Sequence, residues 1–283
     1  MGNQFRTALL MGGLTALLIL LGQALGGGQG ATLAFAFALI MNLGSWWWSD
    51  RLVLGMYGAK QVPPGRAPEL HAMVERLSQR AGIPKPRLYL ISNPSPNAFA
   101  TGRSHAQAAV AVTEGALRLL SHEELEGVLG HELAHVRNRD TLVATLAAAL
   151  AGAIMFLASW ARWAAIFGGW RRDDEEGAGG LELLALAIIA PLAALLIQMA
   201  ISRSREYLAD ETGARLCGDP LKLARALERL EQAAARVPLQ ANPATAHMFI
   251  VNPLRGGGVL SLFSTHPPIE ERIRRLEAMA RGW

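Results

Sequence analysis

The chain has 283 residues, 51% of them hydrophobic and only 18% charged, with a formal net charge of +4. That is more apolar than an ordinary soluble domain, and the lone Cys217 excludes an intrachain disulfide or a cysteine-cluster metal site. The arginines are scattered along helical segments rather than interleaved with aromatics, so nucleic acid is not expected as a partner.

The apolar residues are concentrated in charge-free runs between Arg6 and Asp50, between Asp140 and Arg162, and between Glu182 and Arg203. Runs of that length are candidates for membrane spans. The first is too long for one crossing and is interrupted by Gly26, Gly27, Gly28 and Gly30, which suit a reversal. Two spans are therefore expected, at residues 7–25 and 31–48, with Trp46, Trp47 and Trp48 at an interfacial belt. A secretory signal peptide is the competing reading of the first span, but no clear small-residue cleavage site follows it. Residues 141–161 and 183–201 form a second expected pair, although their alanine content also suits a buried helical hairpin, and Pro191 falls inside the fourth run. The charged segment between them, including Arg171 to Glu176, reads as a solvated loop.

The division that follows is a membrane hairpin at 1–51, a polar stretch at 52–140, a second membrane hairpin at 141–201 and a second polar stretch at 202–283. The two polar stretches together are long enough for one domain with a real core. In the first of them Leu70, Met73, Val74 and Leu77 recur at helical spacing, closed by Gly82 and Pro84. Strands are expected at 87–92 and 108–112, separated by a turn at Pro94 and Pro96. The fold class predicted is a mostly α membrane protein: four transmembrane helices plus an α+β domain assembled from the two polar stretches.

The chemistry is concentrated in His131-Glu132-Leu133-Ala134-His135, an H-E-x-x-H sequence. Ser121 and Glu124 form a capping-box pattern, and Leu125, Val128, Leu129 and Leu133 continue an apolar stripe, so the motif lies on a helix. Histidines four apart share a helical face and converge on one tetrahedral zinc, with Glu132 beside the open position. Downstream, Glu206 and Asp210 are also four apart; one can ligate while the other orients an imidazole through its second nitrogen. Taken alone they equally suit a surface salt-bridged with Arg203 and Arg205. His135 and Glu206 flank the third and fourth runs, so one site forms only if an even number of crossings separates them.

The segments 131–140 and 202–210 resemble those of the HtpX family of membrane zinc proteases. The order of features also matches along nearly the whole chain, including Asn97 to Gly102 and Ser264 to Pro268. The resemblance implies that the α+β domain is a zincin-like catalytic domain, that His131, His135 and Glu206 bind one zinc ion per chain and that Glu132 is the catalytic base. It also implies a multi-pass protein of the cell membrane, with a cytoplasm-facing site that degrades damaged or misfolded membrane proteins. Positive-inside bias agrees, since only Arg162, Arg171 and Arg172 of the 27 basic residues fall in the proposed outer loops. The more distant CAAX prenyl proteases share the zinc motif and the His-Pro-Pro element but have more spans. Through them, His266 is expected to stabilise the oxyanion, on a segment that Gly256, Gly257 and Gly258 let move.

Residues 108–112 are expected either to offer an edge strand to an extended substrate or only to build the core. His71, His105, His122 and His247 lack partners at ligand spacing and are read as surface residues. Two other classes compete with a peptidase. A silent zinc-binding scaffold has no need of Glu132, and a transporter needs ionisable groups that these spans lack.

Overall fold

The computed structural model of the chain describes residues 3–151, 203–236, 242, 244–251 and 267–282. It is mostly helical, with one mixed sheet. The first helix, α1 (Asn3–Met56), has helical backbone throughout, yet Asn42 Nδ2 donates to Met11 O at 3.3 Å and to Thr15 Oγ1 at 2.8 Å. A straight helix would separate Met11 from Asn42 by about 46 Å, so the chain reverses. Gly27 does this, with a left-handed φ of 57°, and Gly22 meets Gly30 backbone to backbone where any Cβ would overlap. The helix runs past the expected end at Trp48, because Asp50 is neutralised by Arg87 Nη2 at 2.7 Å. Gly58 (φ 58°) then ends it.

Among the described residues one helix, Gly27–Met56, is long and apolar enough to cross a membrane; Thr7–Leu20 and Asp140–Ala151 are apolar but shorter. Leu33, Ile40, Leu43, Trp47 and Trp48 all point outward, each more than half exposed. The second half of the expected third span and all of the fourth lie outside the described residues, as do His266, Gly256 to Gly258 and the charged segment Arg171 to Glu176.

Four strands follow: β1 (Lys60–Gln61), β2 (Arg87–Ile91), β3 (Ala98–Thr101) and β4 (Ala109–Thr113). Their order is β1-β2-β4-β3; β2 and β4 run parallel, and the other pairs are antiparallel. Of the two readings of 108–112, the core strand holds and the edge strand does not: β4 is paired on both sides, and β1 and β3 are the edges. The reason is visible in Ala109-Val110-Ala111-Val112, an apolar run without alternation, which suits a strand buried on both faces. Val110 and Val112 face the main core, whereas Ala109 and Ala111 face a second core with Phe99, Phe249, Val53 and Leu54 at the foot of α1.

The main core unites the two polar stretches. Helix α2 (Pro68–Ala81) carries Leu70, Met73, Val74 and Leu77 inward, and α3 (Glu114–Leu119) leads to α4 (His122–Arg137). From the second stretch come α6 (Arg203–Cys217), α7 (Pro220–Arg236) and α8 (Ile269–Arg281), all packed into the same core. Between them in the chain, α5 (Asp140–Ala151) sets Val143, Leu146 and Leu150 against Leu14 of α1.

Candidate metal centre

Helix α4 is the centre of the molecule. Its N-terminus has the full capping box: Ser121 Oγ accepts from Glu124 N at 3.2 Å, and Glu124 Oε2 accepts from Ser121 N at 2.7 Å. The helix is buried on almost every side, between α2, α6, α7 and β3. Gly130 and Gly213 make this possible for α6: a Cβ on Gly213 would lie 2.7 Å from His131 N, and one on Gly130 would lie 3.0 Å from Gly213 O. That close approach delivers Glu206 and Asp210, one helical turn apart, to the histidines.

One donor atom each from His131, His135 and Glu206 lies within 4.8 Å of the other two. The separations are 3.1 Å between the two Nε2 atoms, 3.5 Å from His135 Nε2 to Glu206 Oε1, and 3.8 Å from His131 Nε2 to Glu206 Oε2. A tetrahedral zinc with bonds of about 2.05 Å needs donor separations of about 3.3 Å. The residues fit such an ion. His131 is oriented for it, because Nδ1 lies 2.9 Å from Asp210 Oδ1, which keeps the proton there and leaves the Nε2 lone pair toward the centre. His135 Nδ1 faces Asp140 Oδ2 at 3.5 Å. Asp140 reaches this position because α4 ends at Arg137 and the left-handed Arg139 (φ 59°) redirects the chain into α5.

Glu132 is 2% exposed and lines a cavity with Ala100, His135, Arg205, Glu206 and His247. Burial pushes its carboxyl up to about 7, with Glu206 adding to the effect and His135 and the Ala100 N–H opposing it. Burial lowers His131 to about 4, against the pull of Asp210. Burial would also lower His135, but Glu206, Asp140 and Glu132 outweigh it and raise it to about 9. A divalent cation among these donors favours the neutral imidazole of His135 and the ionised form of Glu132.

Arg272 is the functional residue that sequence reasoning missed. It is fully buried, and its Nη2 and Nε donate to the two oxygens of Asp210 at 2.7 and 2.8 Å, while Nη1 donates to Ile250 O at 3.0 Å. Burial would raise the Asp210 carboxyl, but Arg272 and His131 hold it below the usual carboxylate range. Its signal was its place: Arg272 lies three residues after Ile269 and four before Leu276, on the inward stripe of α8. The competing surface reading of Glu206 and Asp210 does not hold, since Arg205 pairs instead with Asp140 at 3.5 Å. Two histidines read as surface residues are also buried: His71 faces Val62 O at 2.9 Å, and His247, in the cavity wall, faces Ala144 O at 3.1 Å. Both sit where a helix or turn needs a ring nitrogen to satisfy an inward carbonyl, which spacing alone does not reveal.

Residues 64–280 match the model of peptidase family M48. The chain belongs to that family. It is 57% identical over 277 residues to a "Protease HtpX homolog" of Desulforapulum autotrophicum, covering 98% of this chain and 90% of that protein. Similar proteins of the same name occur in Syntrophobacter fumaroxidans, 56% identical over 99% of this chain and all of that one, and in Pyrococcus abyssi, 57% identical over 99% and 97%. The HtpX resemblance is thereby shown, and this M48 chain is a metallopeptidase. Among solved structures, Ste24p of S. mikatae matches with a TM-score of 0.52 at 19% identity, over 95% of this chain and 63% of that one. That likeness is one of fold.

Proposed function

We propose that the chain is a zinc endopeptidase of the cell membrane that hydrolyses damaged or misfolded membrane proteins, with its site on the cytoplasmic side. The observation that carries this reading is the convergence of His131, His135 and Glu206 beside the buried Glu132. A zinc ion held there supplies Lewis acidity toward the scissile carbonyl and the attacking water. Glu132 accepts the water's proton on its carboxylate and delivers it to the leaving amine nitrogen. Asp210 fixes the tautomer of His131 from behind. His266 is proposed as the oxyanion donor on its resemblance alone.

Edge strand β3 is closed to an incoming strand at Ala98 and Ala100, whose outward groups are bonded within the chain. In its register with β4, Ala98 and Ala100 turn their backbone groups outward; Ala98 O accepts from Ile250 N at 3.1 Å, and the Ala100 N–H meets Glu132. The strand therefore passes directly beside the proposed base. Residues 1–51 and 141–201 are proposed as the two membrane hairpins, a reading supported by the exposed apolar face of α1. The polar stretches 52–140 and 202–283 are then the two halves of the catalytic domain.

The test is proteolysis of an unfolded model protein by detergent-purified enzyme, stripped of metal and then given zinc. Cleavage appearing only after zinc addition is expected. Cleavage by the stripped enzyme, or none by the zinc-loaded one, overturns the reading.

A further inference from the structure

Each imidazole of the centre is backed by a carboxylate, and each carboxylate by an arginine. The set His131, Asp210 and Arg272 is tight, with separations of 2.9 and 2.7 Å. The set His135, Asp140 and Arg205 is loose, at 3.5 Å for both steps. The two arginines also differ in what they leave over. Arg272 commits three nitrogens, two to Asp210 and one to Ile250 O. Arg205 sets Nη1 toward Asp140, but its Nη2 is buried with no hydrogen-bond partner among the described residues.

A buried guanidinium N–H without an acceptor is costly, and native proteins keep few of them. The arginine side chain is 13% exposed and lines the same cavity as Glu132, His135 and Glu206. Nη2 faces no bulk solvent, so its acceptor, a cavity water in the free enzyme and a ligand in the complex, lies beside the proposed base. The charge of the cavity narrows the choice. With zinc bound, the carboxylates of Glu132, Asp140 and Glu206 balance the ion and Arg205, so a further carboxylate would leave the cavity with excess negative charge. A neutral amide carbonyl would not.

We propose that Arg205 joins the bound polypeptide to the metal-ligand set: Nη1 holds Asp140 toward His135, and Nη2 donates to a main-chain carbonyl oxygen of the substrate. Substrate binding thereby tightens the looser of the two histidine supports. The proposal rests on the peptidase reading above, so its test is made on binding rather than turnover.

The full chain in detergent, carrying Glu132→Gln and loaded with zinc, is titrated with a fluorescein-labelled, unstructured casein peptide by anisotropy, and zinc is counted in parallel. Arg205→Met is expected to raise Kd on the order of 10 to 100-fold, the range for a charge-assisted hydrogen bond, with zinc content unchanged. Arg205→Lys keeps the charge and the pairing with Asp140 but loses the second donor, and is expected to fall between; it also serves if the methionine variant fails to fold. If Arg205 only props Asp140, then Asp140→Asn alone reproduces the loss and Arg205→Met adds nothing to it. That result, an unchanged Kd in Arg205→Met and Arg205→Lys, or zinc loss in place of weaker binding, defeats the proposal. A zinc-loaded wild type that cleaves no peptide would defeat the functional reading and leave the binding comparison to be scored separately.

Discussion

Arg272→Met tests how much of the centre depends on a residue that touches neither of the proposed reacting groups. Arg272 is fully buried, and its removal strands the Asp210 carboxylate at 3% exposure and leaves Ile250 O without this donor. Breaking a buried ion pair on one side costs about 3–5 kcal/mol, or roughly 6–20 °C in Tm for a domain of this size. Arg272→Lys retains the charge but cannot span both oxygens of Asp210 and Ile250 O together, so about 1–3 kcal/mol is expected. The assay is intrinsic fluorescence on heating in detergent, with and without zinc. The pH dependence adds a check of sign. Asp210 is held below its ordinary value in the wild type, so its contribution is complete above about pH 4 and is lost only as pH falls through the folded value. In Arg272→Met burial is opposed by His131 alone, so the carboxyl is held less far below its ordinary value and the destabilisation is larger above about pH 4 than below it. A variant with wild-type Tm at pH 8 would refute the view that this pair fixes the centre.

Further outcomes follow from the same geometry. Glu132→Gln is expected to keep its zinc, counted by mass spectrometry, while peptidase turnover disappears; full activity in the zinc-loaded variant refutes the base. Glu206→Ala is expected to bind zinc far more weakly than Glu211→Ala, because Glu211 pairs with Arg215 on the surface of α6; Asp210→Ala falls between, with a loss of about 10 to 100-fold. Gly213→Ala sets a Cβ 2.7 Å from His131 N, so α6 must move from α4, and a drop of about 1–3 kcal/mol together with weaker zinc binding is expected. His266→Phe is expected to retain zinc and fold while turnover falls about 10² to 10³-fold; near-normal turnover returns the residue to a structural role.

The parts of the site legible in the sequence are those written in local spacing. The H-E-x-x-H helix and its capping box are one continuous segment, and Glu206 and Asp210 are one turn apart on another, so each pair could be placed on a face before any fold was known. Strands 87–92 and 108–112 were legible from their apolar content, and β2 and β4 lie within a residue of them. What remained hidden depends on partners far away in the chain. The four residues of β3, between Pro96 and Gly102, become a strand through pairing with β4, and β1 is two residues long. Arg272 stands among Glu270, Glu271, Arg274 and Arg275, and only burial distinguishes it from its exposed neighbours. Asp140 closed the motif segment, but its approach to His135 depends on a positive φ at Arg139, a conformation that arginine rarely adopts.

Residues 244–251 show why pieces so distant in the chain can share one rigid centre. Tyr57, at the foot of α1, is hydrogen-bonded to Thr245, and its ring packs edge-on to Phe249, which in turn meets Phe99 of β3. His247 reaches Ala144 O of α5, the Asn97 amide donates to Val251 O at 2.9 Å, and Arg272 donates to Ile250 O. A single buried segment is thus bonded to α1, to α5, to the edge strand beside Glu132, and to the arginine that holds Asp210 against His131. Segments of this kind are usually surface loops and mobile. Here every residue described from 244 to 251 is buried; Asn97, Ala98 and Arg272 bond its backbone, and the side chains of Thr245 and His247 bond Tyr57 and α5. A tilt of the α1 hairpin would therefore reach the edge strand and Asp210 through packed, hydrogen-bonded contacts rather than through a flexible linker. The proposed membrane anchor and the metal centre are mechanically one body, which is the arrangement a peptidase needs if its substrate arrives from the bilayer and must be cut at a fixed distance from it.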